Sequence, residues 1–166
     1  MIVIKRITPQ TALVFRDVRL RALQDAPTAF SSTYAKESHL PDEEWVMRAA
    51  RWAGEGTGSI FLAFESEAAC GIVGSYVDEG NSALAYIVSM WVDPSHRRAG
   101  VGKALIDAVL EWNRSHGVTE VRLMVTSVNQ GAAVFYERMG FRMTGVTEPY
   151  PNDPAIIEYE MMRMVN

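Results

Sequence analysis

Residues 93–105, DPSHRRAGVGKAL, lead out of an apolar stretch and into a helical one. Asp93 and Pro94 end the strand ALAYIVSMWV (83–92), SHRRAG forms a turn, and a helix begins near Gly100. The first backbone N–H groups of a helix have no partner within it, and the helix dipole adds partial positive charge there. Glycines at 100 and 102 keep side chains out of the way of those N–H groups, while Arg97, Arg98 and Lys103 add charge. A phosphate or pyrophosphate is the natural guest of such a turn. The bland alternative is a tight strand–helix turn carrying solvated arginines.

Two common phosphate motifs fail here. A nucleotide P-loop needs Gly, four residues and then Gly-Lys-Ser/Thr, but Gly102-Lys103 is followed by Ala104 and the earlier glycine is missing. A dinucleotide fingerprint needs a third glycine where this chain has Leu105.

The rest of the chain bounds the answer. Its 166 residues, 48% of them hydrophobic, suffice for a sizeable core in a single domain over 1–166 and speak against disorder. The opening MIVIKRITPQ does not read as a signal peptide, and no apolar run is long enough for a membrane span. A lone cysteine, Cys70, permits no internal disulfide and fits a cytoplasmic location. A net charge of −4 argues against nucleic acid as the main partner. Histidines at 39, 96 and 116 form no ligand cluster, so no metal is expected.

Periodicity and punctuation predict the remaining elements. IVIKRI (2–7) is a strand, and 11–25 a helix with Leu13, Val14, Val18, Leu20 and Leu23 near one stripe. Residues 28–40 are irregular or weakly helical, and a second helix runs from Pro41 to the glycines at 54, 56 and 58. Strands follow at 59–65, 70–78 and 83–92, a helix at about 100–116, a strand at 120–127 and a helix from Asn129 to Gly140. FRMTGVTE is a strand, Pro149, Pro151 and Pro154 mark a loop, and 156–164 closes the chain as a strand. The order β-α-α-β-β-β-α-β-α-β-β is that of an α/β domain, a mixed sheet covered by helices.

The opening stretch, taken with its flanks as VDPSHRRAGVGKAL, resembles the signature of the GNAT N-acetyltransferase superfamily, Arg/Gln-x-x-Gly-x-Gly/Ala after a V-x-P strand end. Arg97, Gly100 and Gly102 fill its three places. NQGAAVFYERMGF (129–141) resembles the family's N-x-x-A…Y-x-x-x-G-F segment through Asn129, Ala132, Tyr136, Gly140 and Phe141. The element order matches that of the family along the chain.

The resemblance implies a GNAT-like acyl-CoA N-acyltransferase fold with central strands that splay apart, here expected after residue 92. It implies acetyl-CoA in the cleft, its pantetheine arm paired like an extra strand with the backbone of Met90, Trp91 and Val92. The pyrophosphate would lie on N–H groups of the run Arg97, Arg98, Ala99, Gly100, Val101, Gly102 and Lys103. Asn129 would bond the pantetheine side, with Ala132 on the same segment, and Tyr136 would face the thioester sulfur as general acid. A backbone N–H near Met90 would stabilise the developing oxyanion.

From spacing alone Tyr136 reads as a core aromatic, and Asn129 as an N-cap, a role compatible with cofactor contact. Trp91 either packs against a helix or walls the acceptor pocket. Glu37, Glu158 and His96 are candidates for the base. The acceptor pocket is expected between the first two helices and at the loop before the last strand. Phe30, Tyr34, Trp91 and Tyr150 would form its walls. Glu37, Asp42, Glu43, Glu44 and Asp153 either draw a cationic amine to the rim or are simply solvated. The implied activity is direct acetyl transfer to a primary amine of a small molecule or peptide. A non-catalytic acyl-CoA-binding module and a transferase for another acyl-CoA are the alternatives. The family's habits and the commonness of two-fold dimers lead us to expect a homodimer.

Overall fold

A seven-stranded sheet in the order β1-β2-β3-β4-β5-β7-β6 organises the chain, and the computed structural model describes all of residues 1–166. Its strands are β1 (Ile2–Arg6), β2 (Gly58–Glu65), β3 (Ala68–Asp78), β4 (Asn81–Val92), β5 (Glu120–Thr126), β6 (Arg142–Tyr150) and β7 (Asp153–Met164). Five helices accompany them: α1 (Ala12–Asp25), α2 (Tyr34–Glu37), α3 (Asp42–Ala53), α4 (Val101–Ser115) and α5 (Gln130–Arg138). The expected order holds, with one short addition: α2, a single turn capped by Thr33 in the stretch expected to be weakly helical.

Hairpins join β2, β3 and β4, so these pair antiparallel, as β1 does with β2. The crossover through α4 makes β4 and β5 parallel. Helices α4 and α5 cover one face, where Leu105, Ile106 and Val109 pack with Val73, Val121 and Tyr136. Helices α1 and α3 cover the other, where Phe15 meets Trp45 edge-on at 5.3 Å above Leu62 and Ile72. The buried stripe of α1 is Ala12, Phe15, Val18, Ala22 and Leu23, whereas Leu13 lies exposed. The small alanines let α1 approach the sheet, which a search for large apolar residues overlooks.

Two expectations require correction. The parting of β4 from β5 begins not after residue 92 but after Tyr86, because the pair is in register only at Leu84–Glu120, Ala85–Val121 and Tyr86–Arg122. The cause lies on β4's other side. Trp91 pairs with Ile72 and Val88 with Gly74, so β4 carries one extra residue against β3, and Ser89 takes a left-handed φ of 57°. A bulge bends its strand and increases its twist. It also exchanges the two faces of the strand: Ile87 points toward α4, and beyond the bulge Trp91 points toward α1.

The proline-rich loop before the last strand is also absent as such. Pro149 and Pro154 lie in β6 and β7, and only Pro151–Asn152 turn. β6 is the outer strand, and β7 beyond Glu158 has lost β5 as a ladder partner, so both prolines sit where a missing N–H breaks no central ladder.

Candidate active site

Where β4 and β5 part, a cleft of about 1030 Å³ passes through the sheet. The N-terminus of α4 forms one end. Gly100 caps the helix in a left-handed conformation, φ +84°, which explains glycine there without reference to space, since an added Cβ would meet nothing within 4 Å. The first hydrogen bond of the helix runs from the Ala104 N–H to the Gly100 carbonyl at 3.0 Å. The six N–H groups from Arg98 to Lys103 therefore have no acceptor in the chain. Gly102 lines the cleft and also meets a packing requirement: a Cβ there would stand 3.1 Å from Phe135 Cζ and 3.4 Å from Met90 Cε. It allows α4, α5 and β4 to close together at the cleft.

The cations of this turn are not equivalent. Arg97 is held by the Val92 carbonyl at 2.9 Å and by Asp25. Lys103 reaches Asp107, four residues on. Arg98 lines the cleft with a φ of 61° and no ion pair in the chain. Ala99 is exposed on the turn, while Val101 buries its side chain in the core, so both offer only backbone to the cleft end. Met90, Trp91 and Val92 all line the cleft. Trp91 packs in the α1–α3 core at 4% exposure, borders the cleft, and donates its indole N–H to Asp25 at 2.8 Å.

Asn129 caps α5 by accepting the Ala132 N–H at 3.2 Å, and both residues line the cleft. Tyr136, two turns further, lines it too. Its ring packs at 5.3 Å from that of Phe135 and 5.7 Å from Phe141, leaving 7% of the residue exposed. The hydroxyl finds no hydrogen-bond partner in the chain, and burial pushes its pKa well above the usual phenol value. The group stays protonated throughout the neutral range.

The residues expected on the acceptor wall divide. Phe30 lines the cleft, stacked at 4.9 Å under the Arg19 guanidinium. Contrary to expectation, Glu37, Tyr34 and Tyr150 do not border it. Glu37 is not at the rim but 3% exposed, drawn inward by Arg19 at 3.0 and 3.2 Å and by Arg48 at 3.0 Å. Burial pushes its pKa up, but the hydrogen bonds and charge of Arg19, with Ser32 and the charge of Arg48, together more than offset that and leave it lowered. Tyr34 projects outward from the single turn of α2. Tyr150 is buried with its hydroxyl 2.5 Å from the Phe30 carbonyl, and so ties the β6–β7 turn to the Phe30 loop. Of the base candidates, His96 lies off the cleft against Glu65 at 2.8 Å, and only Glu158 lines it.

Several lining residues escaped sequence reasoning. Asp25 joins Trp91 and Arg97 across more than 60 residues of sequence. Arg19 donates to Ser89 at the bulge, 2.6 Å away. Thr126 ends β5 with its hydroxyl buried and unpartnered. Nothing local marks any of the three. Tyr76 and Tyr86, directly opposite each other across the β3–β4 hairpin with their rings 5.4 Å apart, line the cleft as well.

No helix is long and apolar enough to cross a membrane. Among known proteins, "N-acetyltransferase 8" of Homo sapiens is 37% identical over 92 residues, covering 53% of this chain and 40% of that protein. "Glucosamine 6-phosphate N-acetyltransferase" of Trypanosoma brucei brucei is 41% identical over 63 residues, 38% of this chain and 41% of its own. The chain thus matches less than half the length of either relative. A GNAT-family acetyltransferase from Streptococcus pneumoniae superimposes with a TM-score of 0.83 at 21% identity, with all of both chains covered. The PaiA N-acetyltransferase of Thermoplasma acidophilum, solved in complex with coenzyme A, does so with 0.79 at 16% identity over 99% of each chain. These two likenesses establish the fold. The sequence profile of the "Acetyltransferase (GNAT) family" matches residues 20–141, most of the chain and both quoted motifs, and by that match this protein belongs to the GNAT family.

Proposed function

We propose that this chain is an acetyl-CoA-dependent N-acetyltransferase that moves the acetyl group directly to a primary amine of a small molecule or peptide. The observation that carries the reading is the row of six N–H groups without acceptors, from Arg98 to Lys103, at the end of a cleft that leads to Tyr136. Unsatisfied donors at a helix N-terminus call for an anion. The β4 edge from Ile87 to Val92, with no strand beside it in the cleft, calls for an extended polar partner. Together these fit a pyrophosphate followed by an amide-bearing arm, the two parts of coenzyme A.

Acetyl-CoA supplies the acetyl group as a thioester, and this chain's residues handle its charges and protons. N–H groups of the α4 turn hold the pyrophosphate, with Arg98 free to add charge. Arg97, anchored on Asp25 and Val92, shapes the turn. Asn129 and the β4 edge orient the arm, and a backbone N–H near Met90 stabilises the oxyanion as the amine attacks. Tyr136 gives its proton to the departing thiolate. Burial keeps the phenol protonated in the neutral range, so the proton is in place when the thiolate departs.

Two measurements test the reading. Calorimetric titration with coenzyme A should give a saturable one-site isotherm. Thiol release from acetyl-CoA should then rise with one or more members of an amine panel comprising spermidine, L-alaninamide, 2-phenylethylamine and glucosamine 6-phosphate. Tight coenzyme A binding without amine-dependent release at any pH would replace the enzyme with a binding module, and no binding at all would remove both.

A further inference from the structure

Tyr136 and the phosphate turn both lie on the α4–α5 side of the sheet. The opposite side of the same gap carries a different constellation. Val121, Leu123 and Val125 of β5 point into the core under α4, so Thr126 next in line points to the α1 face. In the antiparallel ladders Thr126 stands directly opposite Glu158 on β7, and Glu158 directly opposite Glu148 on β6. Directly opposed residues share a face. Thr126 and Glu158 both line the cleft.

Both lack partners. Thr126 is 4% exposed, and its buried hydroxyl makes no hydrogen bond. Glu158 is half-buried and enters no hydrogen bond or ion pair, unlike Asp25, Glu37 and Glu160, which the chain satisfies internally. A buried hydroxyl without a partner is costly and calls for an explanation, and beside it a half-buried carboxylate with no counter-charge lines the same cleft. The carboxylate calls for a cation, and the hydroxyl for a donor or acceptor beside it.

We propose that Glu158 and Thr126 form the acceptor-amine subsite, in which the Glu158 carboxylate binds the ammonium group of a cationic primary amine and takes its proton. This rests on the acetyltransferase reading given above. In the step, an ammonium N–H bond breaks, an O–H bond forms on Glu158, and the freed nitrogen lone pair attacks the thioester carbon. As the C–N bond forms and the C–S bond breaks, Tyr136 on the other side of the gap protonates sulfur and is restored by the second ammonium proton. Glu158 then releases its proton to solvent, so the sum is ammonium plus thioester giving amide, thiol and one proton.

The charges around Glu158 suit this task. Burial pushes its pKa up, and Glu148 across the ladder pushes it further. Glu160, two residues on, is occupied by Thr144 at 2.9 Å and lies 3.9 Å from Arg122. Arg19 on the opposite wall is committed to Glu37. No cation within the chain therefore takes the place the amine would fill.

The test combines kinetics with a readout that needs no turnover. In carboxyl-labelled protein followed by ¹³C NMR, one glutamate should titrate above the others, vanish from the spectrum of Glu158→Gln, and move down in Glu148→Gln. Spermidine or L-alaninamide, added to the coenzyme A complex, should shift that same signal. With whichever of the two is acetylated faster, kcat/KM should rise with pH through the same midpoint and shift downward in Glu148→Gln. Glu158→Gln should lose roughly 10²–10⁴-fold in kcat, with coenzyme A affinity unchanged. Thr126→Val should raise KM more than it lowers kcat. A Glu158 signal with an ordinary midpoint that neither amine moves would overturn the proposal, as would a folded Glu158→Gln variant with wild-type kcat and pH profile. Failure of the acetyltransferase reading has a separate signature: no amine of the four-member panel is acetylated by the wild type, while the NMR titrations still decide whether Glu158 receives an amine.

Discussion

Replacing Tyr136 by Phe removes one oxygen and nothing else, and the structure fixes what that oxygen does for folding. The hydroxyl makes no hydrogen bond within the chain, so its loss forfeits none of the roughly 1 kcal/mol that a satisfied buried hydroxyl contributes. The ring, packed between Phe135 and Phe141, stays in place. Tyr136→Phe should therefore melt within about 2 °C of the wild type, since 1 kcal/mol corresponds to about 2–4 °C for a chain of this size. Turnover should behave differently. General acid catalysis contributes roughly 10²–10⁴-fold, or about 2.7–5.4 kcal/mol of barrier. The assay is thiol release at saturating acetyl-CoA, run beside melting curves and a coenzyme A titration. The expected result is a fall in kcat of that size with unchanged affinity and melting temperature. As a control, Tyr136→Ala should lose about 3–5 kcal/mol of stability through the vacated ring site. A folded Tyr136→Phe enzyme with wild-type kcat, under conditions where chemistry limits the rate, would refute the acid role.

The two glycines of the α4 turn should separate by mechanism. Gly100→Ala strains a left-handed residue by about 1–2 kcal/mol without a clash. Gly102→Val drives a side chain against Phe135 and Met90 at roughly 1–3 kcal/mol. Calorimetry should show weaker coenzyme A binding in both, and a crystal structure should show Phe135 displaced only in the second. Glu37→Gln leaves Arg19 and Arg48 without their shared counter-charge and should cost roughly 3 kcal/mol, read by urea denaturation. Asp93 is held down at about 2 by hydrogen bonds from Ser95 and then by Arg21. The folded state therefore prefers the ionised carboxyl, and its stabilisation is full above the ordinary value of 3.8 and fades as pH falls toward 2. Melting curves of wild type and Asp93→Asn should differ at pH 6 and converge near pH 2.

What could be read in the sequence was local. A strand stopped by Asp93-Pro94, a helix opened by Gly100, and an Asn-to-Tyr spacing of two turns each announce themselves within a few residues. They gave the element order and the α4–α5 side of the cleft. What could not be read depends on partners far along the chain. The β4 bulge carries no glycine or proline, because Ser89 occupies the left-handed position with Arg19 bonded to its hydroxyl. Glu37 looked like one more acid in a polar stretch until Arg19 and Arg48 closed on it from two other helices. Tyr150 offered an aromatic ring to an expected loop, but its hydroxyl found the Phe30 carbonyl 120 residues away. Thr126 and Glu158 acquire meaning only once the ladder aligns them.

The short β4–β5 ladder has a consequence for the protein's life in a crowded cell. A sheet ordinarily has two edges, and here these are β1 and β6. Parting after Tyr86 creates two more, along β4 and β5, with backbone donors and acceptors available to any extended chain. Exposed edges recruit other strands and seed aggregates. This protein cannot blunt its inner edges with lysine, proline or a covering helix, because closing the gap would remove the cleft itself. Under the proposed function, an extended ligand lying along β4 would cap that edge as a strand does. Coenzyme A should then lower the aggregation of this protein on heating, a difference that light scattering reads directly.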